Sequence, residues 1–278
     1  MLPRMATAAI NGTELFHEEL GEGPAVLVLH GGPGFDHTYF RPAFDRLRAD
    51  HRLIYLDHRH QGRSGRPPIA TLTIEQSAED AAALLDHLGV DRAVVAGHSY
   101  GGFVAQELAL RHPDLIAGLF LISTTPGQLG ATDDPDADPG PRPPEGFVEA
   151  ITTIPATDAA YAAMAPIVLP YYFHRLTWEE VAPTFADTRY DSAAFVRGME
   201  VLRSWSSVDR LDRVTAPTLV LVGRHDVTTS WPQSVRIARR IPTSELVILE
   251  NSGHFPWMEE PDAFWTTTDA WLASLPAS

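Results

Sequence analysis

The 278-residue chain has no cysteine. Neither a disulfide framework nor a thiolate metal site is therefore available to it. No apolar run is long enough to span a bilayer. Positive charge is scarce: Lys and Arg number 21 against 36 Asp and Glu, a formal net charge of −15. Nucleic acid and anionic membranes repel such a surface, so neither is expected as a partner. No repeat of solenoid length is present. The opening Met1-Leu2-Pro3-Arg4-Met5 is too short and polar for a signal peptide, and Met5 is a candidate start. The expectation is a cytoplasmic protein acting on a small molecule, with oligomeric state left open.

What is present is enough apolar content, 44% of residues, to bury a large core. The length fits one α/β domain carrying an insertion. The pattern centres on Gly97-His98-Ser99-Tyr100-Gly101-Gly102. An apolar, β-branched run, Arg92 to Ala96, precedes it and reads as a buried strand. A good helix former, Phe103 to Leu110, follows. Strand must become helix within about one residue, and Ser99 sits at the corner, as in a G-x-S-x-G nucleophile elbow. Gly97 and Gly101 let the chain fold past itself. The helix N-terminus beneath Ser99 offers unpaired N–H groups where an oxyanion could develop.

The other elements line up around this corner. Asn11-Gly12 between two strand-like runs predicts an antiparallel hairpin over Thr7 to Leu20 at the sheet edge. Ala25 to Leu29, Arg52 to Leu56, Ile116 to Ile122, Thr218 to Val222 and Leu246 to Leu249 read as buried strands. Phe35 to Leu47 reads as helical or partly irregular. Thr73-x-x-Gln76 is a capping box for a helix that Gly89 ends, and further helices are predicted over Trp231 to Arg240 and Pro261 to Leu275. Pro, Asp and Gly crowd residues 126–146, which read as a loop, and 147–209 carry irregular helical patterns with many aromatics. The core is thus expected over 1–125 and 210–278, with 126–209 an inserted cap.

Two glycine-rich or charged loops follow strands. In His30-Gly31-Gly32-Pro33-Gly34, Pro33 has no N–H, so a backbone donor must come from Gly31, Gly32 or Gly34. Gly32 and Tyr100 are the expected oxyanion-hole donors. His51, Asp57, His58 and His60 lie close in sequence but lack the repeated spacing of a zinc site, and no metal is expected. Asp57 and Arg59 are expected to tie their loop together by charge-assisted hydrogen bonds.

Strands alternating with helices imply a mostly parallel sheet covered on both faces, with its site at the carboxyl strand ends. Ser99, Asp226 and His254 each fall just past such an end, in the order Ser, Asp, His. Ser99 would be the nucleophile, His254 its general base, and Asp226 the group that orients the imidazole.

Along its whole length the chain resembles the α/β-hydrolase superfamily. Within it, the chain is most similar to the proline iminopeptidase-like group. The residues that carry the resemblance are His30-Gly31-Gly32-Pro33-Gly34, Asp57-x-Arg59-x-x-Gly62-x-Ser64, the elbow, Gly223-x-x-Asp226 and Gly253-His254. The resemblance implies a triad hydrolase working through an acyl-enzyme on a small ester or amide, without a cofactor. The Gly-His-Ser elbow is shared with many esterases and lactonases. The group's aminopeptidases hold the substrate amine with cap carboxylates, for which Glu200, Glu179 and Glu180 are the candidates. Further substrate contacts are expected from Phe35, His98, Tyr171 and Trp205. An iminopeptidase-like activity is the first reading. The alternatives are an esterase or lactonase without aminopeptidase activity, and a non-hydrolytic receptor on the same fold.

Overall fold

The computed structural model describes residues 3–127 and 138–276; part of the proline- and aspartate-rich loop, 128–137, lies outside the described residues. Eight strands form one sheet in the order β1-β2-β4-β3-β5-β6-β7-β8. β1 (Arg4–Ile10) and β2 (Thr13–Leu20) pair antiparallel at the edge, turning through Asn11 and Gly12, both at positive φ. Such a turn matches the strands' right-handed twist. β2 also pairs antiparallel with β4 (Arg52–Leu56). β3 (Ala25–Leu29), β4, β5 (Ala93–His98), β6 (Ile116–Ile122), β7 (Thr218–Gly223) and β8 (Ser244–Leu249) run parallel.

Continuous apolar runs form the central strands because both faces are covered. Leu27 and Leu29 of β3 join one core with Ile54 and Leu56 of β4, while Val26 and Val28 join the opposite core with Leu53 and Tyr55. α1 (Ile74–His87) and α2 (Tyr100–Arg111) pack on the first face. Thr73 Oγ1 caps α1 by accepting from the Gln76 N–H (3.0 Å). The expected reciprocal bond is not made: the Gln76 amide donates to Asp80 instead (3.2 Å).

Between β6 and β7 come α3 (Phe147–Thr152), α4 (Asp158–Val168), α5 (Trp178–Phe185) and α6 (Ser192–Ser204). α7 (Trp231–Ala238) follows β7; α8 (Pro256–Glu259) and α9 (Pro261–Ser274) end the chain. The segment after β3 is two 3-10 stretches, His37–Phe40 and Ala43–Ala49, on either side of Arg41-Pro42. Pro42 has no N–H to continue a helical ladder, which splits the segment. No helix among the described residues is long and apolar enough to cross a membrane.

Candidate active site

β5 delivers its chain to α2 through Ser99, whose backbone is forced to φ 51° and ψ −116°. A non-glycine residue at positive φ is strained, and strain of this kind is held in place only by surroundings that over-determine it. The flanking glycines supply that fit. A Cβ on Gly97 would lie 2.5 Å from the Gly101 carbonyl oxygen, and one on Gly101 would collide with the Leu29 carbonyl of β3. The Ser99 N–H donates to Ile122 (3.0 Å), and Thr124 Oγ1 donates to the Ser99 carbonyl (2.9 Å), tying the corner to β6 and its exit.

Asp226 follows β7 and His254 follows β8. His254 Nδ1 donates to Asp226 Oδ2 (2.8 Å), so Nε2 is the acceptor nitrogen of the ring. Thr229 Oγ1 also donates to Oδ2 (2.9 Å), while Oδ1 accepts from the N–H groups of Thr228 (2.8 Å) and Thr229 (2.9 Å). Burial by itself would raise the pKa of Asp226; the His254 charge and hydrogen bond, with those two N–H groups, outweigh it and hold the carboxyl below its ordinary value. The structure therefore brings Ser99, Asp226 and His254 to one end of the sheet, and Ser99 and His254 line the same cavity.

The loop after β3 narrows its own choice of donor. Gly31 N–H donates to the Tyr39 hydroxyl (2.5 Å) and Gly34 N–H to Gln61 Oε1 (2.7 Å). Of the three glycines, only Gly32 keeps its N–H unengaged among the described residues, and Gly32 and Tyr100 both line the cavity. The helices after β6 grip this loop: Tyr161 OH donates to the Pro33 carbonyl and Asp191 N–H to the Gly34 carbonyl, both at 2.8 Å. Gly198 of α6 sits directly against the Pro33 ring.

The cavity holds about 940 Å³ of space between atoms, counted with its open mouth. Phe35, Met164, Val168, Leu169, Phe195 and Leu202 are among its walls, and no Asp, Glu, Lys or Arg lines it among the described residues. Of the substrate contacts expected in the sequence, Phe35 is present. His98 lines the cavity too, but both its ring nitrogens are engaged within the protein, by Tyr39 (2.8 Å) and by the His254 carbonyl (3.0 Å).

The remaining expected contacts lie elsewhere. Tyr171 points to the Glu145 carbonyl (3.4 Å) and meets Phe147 edge to face; its neighbour Tyr172 is the cavity residue. Glu200 is exposed and pairs with Arg197 (3.2 Å). Glu180 is spent on the capping box of α5 with Thr177, and Glu179 is exposed. Trp205 is buried with its Nε1–H on Glu107 (3.1 Å), so it serves packing, while Met199 and Leu202 of the same segment reach the cavity. Thr228, Thr229 and Phe255, not singled out in the sequence, also line it. Their only sequence signal is position next to Asp226 and His254.

Asp57 and Arg59 do not bond each other. Asp57 Oδ1 takes His37 Nδ1 (2.6 Å), and Arg59 makes a bidentate pair with Asp80 of α1 (both 2.6 Å). Each thus braces the loop against a different neighbour. Burial pulls the His37 pKa down, but the Asp57 charge and hydrogen bonds to Asp57 and Glu18 carry it up to about 9. Among the described residues no cluster of three His, Asp or Glu is arranged to hold a metal.

Residues 24–261 match the family described as alpha/beta hydrolase fold. The chain belongs to that family. It is a hydrolase. It is 28% identical over 246 residues to the protein of Rhizobium rhizogenes named "Putative carbamate hydrolase RutD", covering 86% of this chain and 88% of that one. The proline iminopeptidase of Saccharolobus solfataricus is 28% identical over 271 residues, covering 88% of this chain and 83% of that one. The crystal structure of the enol-lactonase from Burkholderia xenovorans LB400 superposes with a TM-score of 0.81 at 27% identity, over 97% of this chain and all of that one (100%).

Proposed function

We propose that this chain is a serine hydrolase that cleaves small esters or lactones with an apolar acyl part through an acyl-enzyme on Ser99. The observation that carries the reading is the cavity itself: the serine opens into a wall of aliphatic and aromatic side chains that carries no formal charge among the described residues. Such a wall rewards burial of an apolar acyl group, at about 25 cal/mol per Å². It offers no carboxylate to a free amine, because Glu200, Glu179 and Glu180 all lie outside it. In this reading His254 Nε2 takes the Ser99 proton as Oγ attacks the carbonyl. Asp226 holds the tautomer and stabilises the imidazolium. The N–H groups of Gly32 and Tyr100 receive the oxyanion. The proton on His254 then passes to the leaving alkoxide, and water, deprotonated by the same nitrogen, releases the acid and restores Ser99. The segment between β6 and β7 acts as a cap whose α3, α4 and α6, with the stretch after α4, supply most of the aliphatic wall.

The test is a panel of p-nitrophenyl butyrate, a γ-lactone, an aryl carbamate, proline p-nitroanilide and its N-acetyl analogue. The ester and lactone should give the highest kcat/KM, the ester with a burst of p-nitrophenol, and Ser99→Ala should abolish turnover of both. The two anilides should be turned over equally poorly. Proline p-nitroanilide as the best substrate, cut at least about tenfold faster than its N-acetyl analogue, would overturn the ester reading in favour of an iminopeptidase.

A further inference from the structure

Three loops meet beneath Ser99 through one unbroken hydrogen-bond chain. Gly31 N–H donates to Tyr39 OH (2.5 Å), Tyr39 OH contacts His98 Nδ1 (2.8 Å), and His98 Nε2 contacts the His254 carbonyl (3.0 Å). Only one arrangement of protons satisfies it. A carbonyl can only accept, so His98 Nε2 carries the hydrogen and Nδ1 is the acceptor. The Tyr39 hydroxyl must then give its proton to Nδ1 while its lone pair receives Gly31 N–H. Every donor and acceptor is used once, in full burial.

We infer that Tyr39 and His98 form a positioning unit that holds the oxyanion loop at Gly31–Gly32 and the acid–base residue His254 in fixed relation to Ser99. The inference rests on the serine-hydrolase reading above. Gly32 lies one residue from Gly31, which the chain anchors, and two from Gly34, which Gln61 anchors. Ser99 follows His98 directly. His254 is held by its own carbonyl at one end of the chain and by Asp226 at its ring. The unit is itself wedged: the His98 ring meets Trp257 edge to face (4.8 Å) and tilts against Phe255 (5.1 Å), and the Tyr39 ring stacks on Phe40 (4.6 Å). Burial pushes the His98 pKa well below its ordinary value and that of Tyr39 well above, so both stay neutral. A neutral relay adds no net charge beside the forming imidazolium, and its two polar ends are unavailable to substrate. Its effect therefore reaches the reaction through the loops it fixes. Misplacing reacting groups by about 1 Å costs on the order of 100-fold in rate.

Tyr39→Phe removes one oxygen and keeps the ring. With p-nitrophenyl butyrate, kcat should fall roughly 10- to 100-fold with KM within about twofold. Affinity for butylboronic acid, which becomes tetrahedral on Ser99, should fall by the same factor as kcat/KM, and affinity for butyrate should not change. A merely structural loss would not split the two ligands. His98→Gln, which retains one donor and one acceptor, should keep at least about fivefold more activity than His98→Ala, and it carries the test if Tyr39→Phe does not fold. Wild-type kcat in Tyr39→Phe, or equal activity of the two His98 variants, would overturn the inference. Wild-type turnover in Ser99→Ala would instead overturn the hydrolase reading beneath it.

Discussion

Replacing Asp226 by Asn changes one atom and should disable the site while leaving it folded. The carboxylate divides its labour. Oδ1 accepts from two backbone N–H groups, those of Thr228 and Thr229; Oδ2 accepts from His254 Nδ1 and Thr229 Oγ1. An asparagine has one acceptor oxygen, and the pair of fixed backbone donors claims it. Its NH2 then faces His254, where a donor meets a donor. The imidazole relieves the clash by moving its hydrogen to Nε2, and the nitrogen turned to Ser99 can no longer take a proton. Loss of both the correct tautomer and the countercharge is worth about 10⁴-fold in kcat, or about 5.4 kcal/mol. The alternative flip, with NH2 against the two backbone N–H groups, strands buried donors at about 1–3 kcal/mol each, so it does not rescue the base. Stopped-flow release of p-nitrophenol from the butyrate ester should lose its burst, while butyrate still binds with wild-type affinity. Activity within about tenfold of wild type, in a variant with unchanged Tm, would refute the assignment of Asp226 as the group that sets the tautomer.

Three further perturbations follow from particular contacts. His37, raised to about 9, should stabilise the fold fully below its ordinary value near 6.5 and lose that contribution, about 3 kcal/mol, as pH rises through about 9; Asp57, held at about 2, should keep its contribution until far more acid pH. Urea unfolding at pH 6 and 9.5 measures the drop, and a drop of the same size in His37→Gln would contradict the assignment. Gly101→Ala pushes a methyl into the Leu29 carbonyl at the strained corner and should cost at least about 3 kcal/mol, read as lost soluble protein or a lower Tm; a stable, active variant would show that the corner can relax. Glu200→Ala touches only an exposed ion pair with Arg197 and should leave both ester kcat/KM and Tm unchanged, whereas a selective loss on proline p-nitroanilide would return the cap carboxylate to the site.

The parts of the site legible in the sequence were those written locally. The strand-to-helix corner at Ser99 was readable because buried parallel strands are apolar on every residue, so no choice of face is needed, and because the glycines around it have a steric purpose. Asp226 and His254 were readable as strand-end positions in a set order. The cavity residues contributed by 147–209 were not legible at that level. Tyr171 and Tyr172 are neighbours of one kind and both meet Phe147 edge to face; only Tyr172 also packs against His254 (5.1 Å) and Phe255 (6.1 Å) and so faces the cavity. Glu200 and Met199 are likewise one residue apart on α6, and the helix's docking turns Met199 inward. The partners of Asp57 and Arg59 come from His37 and Asp80, at separations no local pattern encodes. The first crossover was ambiguous because Pro42 interrupts a segment whose apolar residues would otherwise suit a helix.

The grip of the helices between β6 and β7 on the loop after β3 bears on how this scaffold can be re-engineered. Tyr161 and Asp191 bond the backbone of Pro33 and Gly34, and Gly198 admits the Pro33 ring where any side chain would collide. The segment that lines the cavity therefore also holds the backbone on either side of Gly32. A chimera that imports a foreign lid to change substrate range would discard those three contacts along with the old wall, and its rate would fall for reasons unrelated to fit. Grafts that carry over Tyr161, Asp191 and Gly198 while varying Met164, Val168 and Phe195 separate the two roles and open the range without loosening the cradle.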